Sequence, residues 1–126
     1  MDTDRQQALA LIFQEMDKQD SMWGPMNERA DISNNQLQHA GMAQLDALFD
    51  RQNGEPDAFD SAPEIYPQDW SGFRNYGSDV ANKVVAVAFL IQSIKHDILQ
   101  GKDTTRLARQ PDQVYAADAP LVPSQS

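Results

Sequence analysis

Residues 78–101 read SDVANKVVAVAFLIQSIKHDILQG, and this stretch decides the fold. Its centre, residues 84–91, is an unbroken apolar run. A run of that length fits a buried strand as well as a helix, because periodicity does not separate the two. The flanking sequence separates them. Val87, Ile91, Ile94 and Ile98 recur at spacings of three and four, the repeat of one helix face. Ser78 can cap the start by accepting a backbone N–H, and Gly101 can close the end in a left-handed conformation. A helix that is apolar on most sides must be enclosed by other helices. The expected class is therefore all-α.

Two further helices are legible upstream. Thr3 with Gln6 has the spacing of a capping box, and Leu9, Ile12, Phe13 and Met16 then mark one face of a helix over residues 4–19. Trp23-Gly24-Pro25 cannot continue a helix beyond the residue before proline. Trp23 is read chiefly as a plug between helices, with base stacking as the functional alternative. Asp31 or Ser33 can cap a second helix ending near Arg51. Its small residues Gly41, Ala43 and Ala47 permit close approach of a neighbour. Asn53-Gly54 is a turn signal. Residues 55–69, with Pro56, Pro63 and Pro67, read as a long acidic loop. Ile65, Tyr66, Trp70, Phe73 and Tyr76 pin its second half to the core, and Asp69 or Ser71 starts a short turn.

Residues 1–101 thus form a helical domain of three main helices. Residues 102–126, with Pro111, Pro120 and Pro123, read as a flexible tail, in which 104–109 can add a helical turn. Three helices enclose so apolar a helix incompletely. The bundle is expected to be completed by homo-oligomerisation, as a dimer or tetramer.

Composition narrows the function. The chain has 126 residues, no cysteine and a net charge of −9. Disulfides and thiolate metal sites are excluded, and a generic phosphate-backbone binder needs a basic patch instead. The start MDTDRQQ is unlike a secretory signal, and no apolar run reaches the roughly 20 residues of a membrane span. A cytoplasmic protein without membrane or direct nucleic-acid contact is expected. There is no Gly-x-Ser-x-Gly, no glycine-rich phosphate loop, and no partner pattern around His39 or His96.

Carboxylates carry the remaining chemistry. Asp46 and Asp50 lie four apart on the second helix, and Asp79 and Asn82 three apart on the third, each pair on one face. Facing one another, they can hold Mg²⁺, a hard cation suited to oxygen ligands, which in turn can bind a triphosphate and activate water. Acidic side chains at helical spacing are also ordinary surface residues, and Asp79 at a helix start stabilises the dipole.

The series Glu15-x-x-x-Gln19-Asp20-x-x-Trp23-Gly24, the small-residue helix and the long Ala/Val helix ending in FLIQSI together resemble phage-encoded members of the MazG-like all-α NTP pyrophosphatase superfamily. The resemblance spans about residues 9–100. It implies helical dimers or tetramers that cleave (d)NTPs to monophosphate and pyrophosphate, with Mg²⁺ held by Glu-x-x-Glu and Glu-x-x-Asp motifs. The second motif falls on Asp79-x-x-Asn82 and departs from the pattern at both positions. Glu28-x-x-Asp31 fits by its letters, but in the Trp-Gly-Pro connection.

The enzymatic reading assigns Asp79 and Asp46 to catalysis, and Asp46, Asp50, Asp79, Asn82 and Glu15 to the metal. Lys83, Arg74 and Trp23 are assigned to the substrate. A phage protein of this kind would work in the host cytoplasm. The alternative is an acidic accessory or inhibitor protein. Its Glu55, Asp57, Asp60, Glu64 and Asp69 would dock on a basic protein partner by imitating nucleic-acid charge. A purely structural oligomer is the third reading.

Overall fold

The computed structural model describes residues 2–25, 28–54 and 62–101. Among them the regular elements are three helices: α1 (Thr3–Trp23), α2 (Asn34–Gln52) and α3 (Asp79–Leu99). The all-α class expected from the sequence holds. None of these helices is long and apolar enough to cross a membrane. The expected tail and its helical turn, and residues 55–61 of the acidic loop, lie outside the described residues.

The helix ends follow local chemistry. Ser78 caps α3 by accepting the Ala81 N–H at 3.2 Å, and Gly101 closes it at φ +76°. Ser33, rather than Asp31, caps α2 in a reciprocal box. Its Oγ accepts from the Gln36 N–H, while the Gln36 side chain accepts from the Ser33 N–H. At α1 the expected cap is corrected. Asp2 accepts the Arg5 N–H at 3.0 Å, and Thr3 is already helical. A carboxylate in that position also complements the helix dipole. The helix runs on to Trp23 instead of ending at residue 19, because nothing breaks it before Gly24 (φ +77°) and Pro25. The short turn expected from Asp69 or Ser71 lies earlier. The Tyr66 backbone N–H donates to the Pro63 carbonyl and that of Trp70 to the Pro67 carbonyl, after which residues 71–76 run without regular structure.

Both other helices pack on α3, α2 far more extensively. The α2–α3 pair is antiparallel: Arg51 near the end of α2 meets Asp79 at the start of α3, and Gly41 meets Ala86 and Leu90. Buried Ala40, Ala43 and Ala47 keep the α2 surface flat enough for this approach. The core unites Ile32, Leu37, Ala40, Val85 and Phe89, and Tyr66, Trp70 and Tyr76 pack against it. Contact between α1 and α3 is partly polar. Gln19 and Gln92 are fully buried, and Gln92 donates to Asp20 at 3.2 Å. The carbonyl oxygens of both glutamines lack a partner among the described residues, which costs stability where burial removes water.

The face of α3 that the fold buries carries Asn82, Val85, Ala86, Ala88, Phe89, Gln92 and Ser93. The stripe that identified the helix is a different one. Val87 and Ile91 are half-buried, while Ile94 and Ile98 are each 55% exposed.

Candidate functional site

Two groups of side chains stand out, and Gln44 links them. The first lines a cleft of about 500 Å³. The last turns of α1 supply Glu15 and Trp23, and the segment between α1 and α2 supplies Arg29 and Asp31. The segment leading into α3 supplies Tyr66, Trp70, Phe73, Arg74 and Tyr76, and Val85 and Phe89 of α3 also line it. That volume is in the range of small-molecule sites.

Its walls are set by aromatic packing. Tyr66 meets Trp70 edge-on at 6.0 Å and Phe73 at 5.2 Å, and Trp70 leans on Phe89 at 6.4 Å. Burial pushes the phenols of Tyr66 and Tyr76 above their usual values, so both are neutral hydrogen-bonding groups at physiological pH. The Lys18 ammonium lies 5.5 Å from the centre of the Tyr76 ring. Glu15 accepts from the Gln19 amide at 3.3 Å and pairs with Lys18 at 3.6 Å. Arg29 ties the end of α1 to the following segment by donating to the Trp23 carbonyl and to Asp31. That hydrogen bond holds the exposed Asp31 carboxyl below its usual range. The Arg74 carbonyl accepts from Gln44 at 2.8 Å, fixing the backbone there. Its side chain is exposed and makes no ion pair among the described residues.

The second group is a polar network across the α2–α3 interface. Arg51 donates to Asn75 at 2.8 Å, to Asn82 at 3.1 Å and to Asp79 at 3.0 Å. Asn82, fully buried, donates in turn to the Gln44 side chain at 3.0 Å. The Arg51 hydrogen bond holds the Asp79 carboxyl below its usual range, with a smaller contribution from the charge of Lys83.

The residues singled out in the sequence therefore divide. Glu15, Trp23 and Arg74 meet at the cleft. Asp79 and Asn82 meet at Arg51. Asp46 is exposed and Asp50 half-buried on α2, and Lys83 is exposed on α3 away from the cleft lining. Glu64 is exposed, and exposed Asp69 sits at the cleft 3.4 Å from the Gln36 amide. Glu55, Asp57 and Asp60 lie outside the described residues. No three His, Asp or Glu side chains converge on a possible metal position among the described residues.

The expected Mg²⁺ set does not fit this arrangement. A guanidinium already occupies the space between the Asp79 and Asn82 oxygens, and a divalent cation there would face it as a like charge. Glu15 belongs to the other group. Compared with known proteins, the chain matches no family model, no curated protein and no solved structure.

Arg51, Gln44, Asn75 and Tyr76 were not among the sequence candidates for the site. One signal for two of them exists: Gln44 and Arg51 are seven apart on α2 and so share a face. The partners that this face meets lie some thirty residues downstream, beyond the reach of spacing.

Proposed function

We propose that this chain is a nucleotide-binding protein of the MazG-like pyrophosphatase type, with the cleft as its ligand site. The observation that carries the reading is the meeting of Glu15 and Trp23 of α1 with Arg74, from the distant segment leading into α3, in one aromatic-walled cleft. A planar base suits the aromatic wall, since stacking needs only a π-face. The Glu15 carboxylate has lone pairs left to accept from a base amine. Arg74, at the cleft and without an ion pair among the described residues, supplies the charge-assisted contact a phosphate requires. No hydrolytic step follows from these residues, because Arg51 stands between Asp79 and Asn82, where a metal would bind. Binding without cleavage is the expected behaviour.

The test is a titration with a panel of NTPs and dNTPs in Mg²⁺, read by tryptophan fluorescence. The chain's two tryptophans, Trp23 and Trp70, both line the cleft. Saturable quenching is expected, and Trp23→Ala should weaken binding about tenfold, within the ~1–3 kcal/mol typical of base stacking. A flat titration rules the reading out. Monophosphate and pyrophosphate are assayed in parallel. Turnover lost in Asp79→Asn would return the metal to Asp79 and refute binding without cleavage.

A further inference from the structure

Val80, Val84, Val87, Ile91, Ile94 and Ile98 follow one another at intervals of four, three, four, three and four. This is the strict 3.5-residue repeat of a coiled-coil seam, narrower than the stripe of an ordinary core helix. All six are β-branched. In this chain the seam faces away from the side that α3 buries. Val80, Ile94 and Ile98 are 58%, 55% and 55% exposed, and the three central residues are half-covered.

We infer that the seam is an interface between two copies of this chain, with α3 packed antiparallel on α3 of the second copy. The order of residues selects both occupant and direction. The spacing reads the same from either end, so the seam is self-complementary about a two-fold axis near Phe89, as an isologous interface requires. Antiparallel pairing sets Val80 against Ile98, Val84 against Ile94 and Val87 against Ile91. Each layer then holds one valine and one isoleucine, and its volume is constant. Parallel pairing would stack valine on valine at one end and isoleucine on isoleucine at the other.

Charge points the same way. Flanking the seam on one side are Lys83, Leu90 and Asp97, one heptad apart. In the antiparallel register Lys83 of each copy faces Asp97 of the other, with Leu90 at the two-fold axis. In the parallel register neither charge meets an opposite one across the seam. Antiparallel helices also bring opposite dipole ends together. This inference is independent of the ligand in the cleft.

The natural chain has no cysteine, so each introduced thiol is unique. Val80→Cys and Ile98→Cys are oxidised separately and as an equimolar mixture, and disulfide-linked dimer is measured. The two positions lie about 27 Å apart along the helix. The mixture is expected to cross-link strongly and each variant alone only at background, since a disulfide needs Cα atoms within about 7 Å. Cross-linking of the single variants as strong as that of the mixture overturns the antiparallel pairing. Sedimentation of the unaltered chain supplies the second reading, with a dimer expected and a shift to monomer in Ile91→Lys at unchanged helix content. A monomer at 100-micromolar order, or an Ile91→Lys dimer as tight as the natural one, overturns the interface itself.

Discussion

Asn82 shows how a single side chain closes this fold. It has no exposed surface, and its amide joins both helices: the NH₂ donates to Gln44 of α2, and the oxygen accepts from Arg51. Removing it leaves a buried acceptor on Gln44 and one guanidinium N–H with a bond fewer, while Arg51 keeps Asn75 and Asp79. A buried polar group left unsatisfied costs about 1–3 kcal/mol, and the gain in helix propensity on going to alanine returns only about 0.6 kcal/mol at most. Asn82→Ala should therefore lower stability by about 2 kcal/mol in a urea titration at unchanged m-value. A midpoint within error of the natural chain would show that water replaces the amide. In the sequence Asn82 reads as a neutral metal ligand, because its spacing to Asp79 is local and visible. Its actual partner is a cation on another helix, which no local pattern announces. Ser78 is the opposite case. Its partner is three residues away, so its capping role is fully legible.

Among the elements, the α2–α3 pair depends on how closely two backbones approach. A Cβ added at Gly41 would stand 3.0 Å from the Ala86 carbonyl oxygen and 3.3 Å from the Leu90 side chain. Leucine can turn aside, but a helix carbonyl cannot move without its helix. Glycine to alanine inside a helix ordinarily stabilises by up to about 1 kcal/mol, while overpacking costs about 1–3 kcal/mol. Overpacking wins here, and Gly41→Ala should reduce stability by about 1 kcal/mol, with Gly41→Val costing more. Thermal unfolding of the two variants decides it, and an alanine variant more stable than the natural chain would mean that the helices separate freely. The small residues of α2 were legible as a contact surface because size and spacing are sequence properties. The extension of α1 to Trp23 was not, since its polar and apolar residues past position 19 lose a clear face. Which apolar stripe of α3 turns inward was also hidden: two sides of that helix are apolar, and only the positions of α1 and α2 choose between them.

At the scale of the molecule the cleft is illegible in the sequence, and the pairing inferred for α3 is legible only in part. The cleft joins Trp23 to residues 66–76, and such long-range meetings depend on how irregular segments cross the bundle. The seam is written in spacing, but its use depends on a second chain. Charge then sets the conditions for pairing. Each chain carries −9, and two such chains repel over the 10–30 Å that the ionic atmosphere leaves unscreened at low salt. The Lys83–Asp97 pairs act in the opposite sense, yet exposed ion pairs contribute only about 0–1 kcal/mol each and lose it as salt rises. Apolar burial between the seams does not depend on such screening. Raising NaCl from about 20 to 200 mM shortens the screening length about threefold, so the net repulsion falls more than the pairs lose. The dimer should tighten several-fold over that range, measured as the dissociation constant by sedimentation. Weakening with salt would mean that ion pairs, rather than the valine–isoleucine layers, hold the two copies together.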